Sequence, residues 1–185
     1  MKVLAVIGSP HKNGPSATIT NEILNGAKAA GHEIKVYNIN DMDIKGCQAC
    51  GYCKENRDDC RLDDDLKPYW KDLSECDVLI LSSPNYCSNV TGPMITFMNR
   101  HYCLMMPDGH RVKKHKKLIG VFSQGWDNQD GYIEKYKNYL HDFEVRNMEL
   151  TDILIHTKNM PYDKDSEIMK KAYLIGEQGN FPNFV

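Results

Sequence analysis

A chain of 185 residues, 41% hydrophobic and 26% charged, is sized and composed for one α/β core. Its formal net charge of -2 excludes a global electrostatic pull toward nucleic acid or an anionic membrane. No segment approaches the roughly 20 apolar residues of a bilayer span, and the apolar run in MKVLAVIGSP is too short for a signal-peptide core, so the expected compartment is the cytoplasm.

Val3 to Ile7 is a continuous apolar run, as expected of a strand buried on both faces. A turn cluster from Gly8 to Pro15 leads into Ile19, Ile23, Leu24, Ala27 and Ala30 at helical spacing, with Gly31 as the stop. Glu33 to Ile39 reads as the second strand. Residues 40–63 read as irregular and hold four of the seven cysteines. Leu66, Tyr69, Trp70 and Leu73 form a helical stripe, and Val78 to Leu81 is the third strand. Ser82 to Gly92 reads as a turn cluster, and Pro93 opens a helix through Met94, Phe97 and Met98. The basic run Lys113-Lys114-His115-Lys116-Lys117 reads as a solvated lead-in to strand four, Leu118 to Phe122, with a grip on an NADPH phosphate as the alternative. Ile133, Tyr136, Leu140 and Phe143 mark a helix, Ile153 to Ile155 the fifth strand, and Ile168, Met169, Ala172 and Ile175 the last helix. Strands alternating with helices imply a parallel sheet covered on both faces.

Ligands of such sheets sit beyond the carboxyl ends of the strands. The loop after strand one, GSPHKNGPSAT, opens a helix whose free N–H groups and positive dipole end suit a phosphate. Ser9, Ser16 and Thr18 add hydroxyl groups, and His11 or Lys12 adds charge. The loop is neither a P-loop nor Gly-x-Gly-x-x-Gly. An ordinary turn with Ser16 or Thr18 capping the helix reads equally well. Ser123, Gln124 and Gly125 close strand four beside it. Trp126 reads as a core or interface residue, with stacking on a cofactor as the alternative. The run Cys47-x2-Cys50-x2-Cys53-x6-Cys60 has the tight spacing of ferredoxin-type [4Fe–4S] ligands. A zinc site, a dithiol at Cys47 and Cys50 and thiols without metal stay open. Cys76 and Cys103 read as small buried hydrophobes.

Three stretches, VIGSPHKNGPSAT, GCQACGYC and SSPNYCSNVTGPMITFMNR, follow one another at strand ends. Together they resemble the NAD(P)H-dependent FMN reductase and iron–sulfur flavoprotein group of the flavodoxin superfamily, over most of residues 1–125. The resemblance implies one flavodoxin-like domain over residues 1–185, a three-layer sandwich with a five-stranded parallel sheet in order 2-1-3-4-5. A cysteine-rich loop would be inserted at about 44–63. FMN is the implied cofactor, its phosphate held by Ser9, His11, Ser16, Ala17 and Thr18. Pro84, Asn85, Tyr86, Ser88 and Asn89 would line its ribityl chain and ring, with Ser123, Gln124 and Gly125 over the other edge. Cys47, Cys50, Cys53 and Cys60 would ligate a [4Fe–4S] cluster near the FMN of a neighbouring subunit. Pro15, Ile95 and Asn99 depart from the group's usual residues. The implied activity passes electrons from NAD(P)H or a one-electron donor to a quinone, a flavin or a small redox protein. A homo-oligomer, dimer or tetramer, is expected. A plain electron carrier, or a metal-stabilised interaction protein with a decayed flavin site, is the alternative.

Overall fold

Strand β1 (Lys2–Ile7) is apolar without a break because both of its faces are covered. Val3 and Ala5 enter one core, with Ile19, Ile23, Ile168 and Met169. Leu4 and Val6 enter the other, with Tyr69, Phe97, Tyr136 and Phe143. Alternation of successive side chains across the pleat divides the strand between the two layers. The structure, a computed structural model, describes residues 1–178, so residues 179–185 of the expected unit lie outside the described residues.

Helix α1 (Pro15–Ala29) ends in a Schellman closure, in which the His32 N–H reaches Ala27 O and the Gly31 N–H reaches Lys28 O. Gly31 takes the left-handed conformation, φ +77°, that this closure needs. β2 (Glu33–Asn38) stops one residue before the sequence boundary, and Ile39 begins a single 3₁₀ turn instead. The cysteine segment contains a short helix, α2 (Tyr52–Asn56), where only irregular chain was expected. α3 (Tyr69–Glu75) follows, with Leu66 in the preceding turn.

β3 (Val78–Tyr86) runs well past Leu81, because Ser82 to Tyr86 stay extended. It then folds back through a two-residue turn onto β4 (Asn89–Val90), pairing Asn85 with Val90 and Tyr86 with Asn89. α4 (Gly92–Arg100) has Pro93 in its first turn. A small hairpin, β5 (Met105–Met106) with β6 (Gly109–His110), precedes β7 (Lys116–Ser123). The basic run is therefore not wholly a solvated lead-in. Lys116 is buried within β7, its ammonium donating to Ser74 O and Cys76 O at the end of α3. After α5 (Ile133–Glu144), β8 (Met148–His156) is nine residues long, and α6 (Glu167–Gln178) closes the described chain.

The parallel strands run β2-β1-β3-β7-β8, the 2-1-3-4-5 order of a flavodoxin-like sheet. α1 and α6 cover one face, and α3, α4 and α5 cover the other. Among the described residues no helix is long and apolar enough to cross a membrane.

Candidate functional site

At the carboxyl ends of β1, β3, β7 and β8 lies a cleft of about 340 Å³. Its floor is the entry to α1. Ser9 folds this loop, its hydroxyl accepting from the His11 N–H and donating to His11 O, while the Gly14 N–H also reaches His11 O. Gly14 is the N-cap residue, and no side chain caps the helix, so neither Ser16 nor Thr18 acts as a cap. Pro15 occupies the first turn, where the missing N–H costs nothing.

Ser16 carries the strongest local signal of a ligand. It is 1% exposed, and its carbonyl accepts from Thr20 Oγ1 and Ser82 Oγ. Among the described residues its own hydroxyl has no partner. An orphan buried hydroxyl beside free helix N–H groups is a donor set for an anion such as phosphate.

The opposite wall is a hydrogen-bonded chain. Asn85 Nδ2 donates to the Tyr136 hydroxyl at 3.1 Å, and that hydroxyl donates to Gln124 Oε1 at 2.9 Å. Gln124 Nε2 then donates to Trp126 O and Asn128 O, holding the loop after β7. Burial pushes the Tyr136 phenol up to about 12, so it stays a neutral donor. Tyr86 stands exposed at the rim, as does Trp126, which packs edge-on against Tyr132 rather than entering a core.

Of the residues named from sequence, Ser9, His11, Ser16, Pro84, Asn85, Tyr86, Ser123, Gln124 and Gly125 line this cleft together. Ala17 and Thr18 sit one step deeper in α1, and Ser88 and Asn89 lie on the β3–β4 turn, outside the lining. Gly14, Pro15, His156, Lys158 and Tyr162 also line it. His156 is the last residue of β8; reading that strand to its true end would have brought it in under the strand-terminus rule. Burial lowers the pKa of its ring, whose Nε2 bonds Met160 O, and Tyr162 packs edge-on against it.

Cys47, Cys50, Cys53 and Cys60 line a second, tight pocket of about 20 Å³, together with Cys103, Arg61 and Arg100. The Arg100 side chain is fully buried, pairs with Asp64 and donates to Lys45 O. Among the described residues its Nε and Nη2 have no nitrogen or oxygen partner, and the Cys60 side chain lies beside the guanidinium. Four thiols with buried guanidinium N–H groups match the donors and counter-charge of an anionic iron–sulfur cluster. The space holds about one water, so seating a cluster requires the loop to open. Among the described residues no three Cys, His, Asp or Glu side chains are gathered closely enough for a single ion. Ala49, Gly51 and Arg57, all at positive φ, shape the loop.

Comparison with known proteins follows the same lines. The family description "NADPH-dependent FMN reductase" matches residues 1–159. An iron–sulfur flavoprotein of Methanocaldococcus jannaschii is 32% identical over 165 residues, 89% of this chain and 78% of that protein. One from Archaeoglobus fulgidus is 34% identical over 120 residues, 65% of this chain, and the match spans about half (52%) of that relative. Among solved structures, an NAD(P)H:quinone oxidoreductase from Methanothermobacter marburgensis superposes with a TM-score of 0.72 at 14% identity, over 97% of both chains. An FMN-dependent NADH-azoreductase from Bacillus anthracis gives 0.67 at 13% identity, also over 97% of both. The likeness to these structures is one of fold. The sequence match from residue 1 to 159, together with the M. jannaschii relative, shows that the chain belongs to the NADPH-dependent FMN reductase family.

Proposed function

We propose that the chain is an FMN-dependent oxidoreductase that draws electrons from NAD(P)H and passes them to a quinone, a flavin or a small redox protein. The observation that carries the reading is the unpartnered, buried Ser16 hydroxyl at the α1 N-terminus, facing the Asn85–Tyr136–Gln124 chain across one cleft. Bound FMN would accept two electrons as hydride and release them together or singly.

The protein's part is position and charge. Ser16 and the first N–H groups of α1 hold the phosphate, and the helix dipole favours its charge. Lys158, the one lysine among the lining residues, adds a cation at the rim. Tyr136 locks the Asn85 and Gln124 amides, so both approach the ring plane in fixed orientation and need no reorganisation during reaction. No side chain of the cleft is required as a nucleophile.

The same proposal gives Cys47, Cys50, Cys53 and Cys60 to a [4Fe–4S] cluster, a carrier of single electrons. The relatives' names and the orphan N–H groups of Arg100 support it. α4 separates Arg100 from the cleft by about 12 Å of helix rise. The exposed Tyr86 and Trp126 beside the cleft suit contact with a second copy, in a cytoplasmic homo-oligomer.

An absorption spectrum of protein purified without oxygen, with iron and zinc measured on the same sample, tests both assignments. Twin flavin bands over a brown shoulder, with about four irons per chain, are expected. Flavin without iron removes the cluster, and failure to bind added FMN overturns the whole reading. Turnover of NADH and NADPH against a quinone then tests the reaction.

A further inference from the structure

A second sizeable cavity lies at the other end of the sheet from the cleft. It encloses about 570 Å³ between α3 and the chain that leads from β6 into β7. Such a volume is in the range of small-molecule sites, roughly 300–1,000 Å³. Lys116, at the start of β7, lines it, and Ser123, at the end of β7, lines the cleft. About 23 Å of strand separates them. The basic run of residues 113–117 thus stands at the opposite end of β7 from the cleft.

Six cations line the cavity: Lys67, Lys71, Arg111, Lys113, Lys114 and Lys116. Of the lining residues only Asp59 carries a carboxylate, and Asp63, Glu75 and Asp77 stand beside the cations from outside the lining, which leaves a local excess of positive charge. Most of these cations are already engaged. Lys67 pairs with Asp63, Arg111 with Asp59 and Lys114 with Asp77, and Lys116 bonds the carbonyls that end α3. The ammonium groups of Lys71 and Lys113 make no hydrogen bond or ion pair among the described residues.

A second, independent observation points to a ligand. Trp70 lines the cavity with Leu73, Leu104 and Val112, and it is only 4% exposed. Its indole N–H is buried without a partner. An indole N–H can only donate, and a buried donor left unpaired is costly. Two exposed ammonium groups without a hydrogen-bonded partner, an orphan donor and an apolar floor describe a ligand with an anionic end and a flat apolar body. Lysines act as point charges on phosphate.

We propose that this cavity binds a phosphorylated ligand of nucleotide size, at a site separate from the flavin cleft. Arg111 joins the site to the cysteine loop through its ion pair with Asp59, the residue before Cys60.

The test is calorimetric titration of the full chain, saturated with FMN, with ADP and with adenosine. Micromolar binding of ADP is expected, weakened at least tenfold for adenosine and at least tenfold in a Lys71→Ala/Lys113→Ala variant. Both side chains are exposed, and Lys71 acts on Glu75 only through space, so this variant keeps its fold. The second readout is Trp126→Phe, which leaves Trp70 as the only tryptophan; its emission changes on adding ADP if the site is the one described. Equal binding of adenosine and ADP, ADP binding that survives the double variant, or no heat and no emission change at millimolar ADP each overturns the proposal.

Discussion

Ser16 keeps a hydroxyl buried and unpaired at the mouth of a cleft, an arrangement that a ligand relieves and folding alone does not. Ser16→Ala is therefore expected to leave stability unchanged, or raise it by about 1 kcal/mol, while weakening FMN about tenfold. Urea melts and flavin fluorescence titrations read the two effects separately. His101 shows the opposite case, a buried polar group fully satisfied. Its ring bonds Tyr69 Oη at 2.8 Å and Phe97 O at 2.9 Å. Burial pushes its pKa down to about 3. Below 6.5 the unfolded chain takes a proton that the folded chain refuses. Stability is thus full above that pH and falls by roughly 1.4 kcal/mol per unit as pH drops toward 3. Urea midpoints across pH 7 to 4 check this; a Tyr69→Phe/His101→Phe variant should lose most of the slope. The cysteines divide in the same way. Burial pushes the Cys76 thiol up to about 11 and the Cys103 thiol up to about 12, whereas Cys47, Cys50 and Cys87 are exposed. Alkylation followed by mass spectrometry should mark Cys87 whether or not iron is loaded. It should spare Cys76 and Cys103 in both states, and it should lose Cys47 and Cys50 on iron loading.

At the scale of elements, the β3–β4 turn was the hardest to read from sequence. Cys87 and Ser88 both stand in the left-handed region, at φ 52° and 64°, the signature of a type I′ turn. That turn is usually written Asn-Gly, and Cys-Ser gives no such signal, so Ser82 to Gly92 looked like plain loop. The strain has a measurable size. Cys87→Gly relieves about 1–2 kcal/mol of left-handed cost and adds about 0.5–1 kcal/mol of chain entropy, for a net gain of up to about 1.5 kcal/mol in urea melts. β1, by contrast, was legible at once, because burial on both faces leaves an unbroken apolar run. β8 was cut short because Glu149 and Asp152 interrupt it, which an edge strand tolerates and a central one does not. That shortening hid His156, and with it Lys158 and Tyr162 on the following loop. The loops after β1 and β7 were found because strand termini and helix entries follow general rules; the loop after β8 was missed because its strand was ended too early.

For the molecule as a whole, the cysteine segment is held to the end of α4 by a buried ion pair. Arg100 and Asp64 have side chains 0% and 3% exposed, and Asp64 also accepts from the Lys45 and Leu66 N–H groups. Arg100→Leu leaves that carboxylate buried alone, at an expected cost of about 3–5 kcal/mol, while Arg100→Leu/Asp64→Leu recovers a large part of it. Equilibrium unfolding of both variants decides this. The two ends of the chain are joined just as closely. A β-carbon at Gly176 of α6 would fall 1.9 Å from Ile23 O, and one at Gly26 of α1 would fall 2.1 Å from Tyr173 O. The two backbones therefore touch directly. Neither helix can slide along the other without a backbone clash, so the turn that opens α1 at the floor of the cleft rests on a helix pair locked from behind by α6.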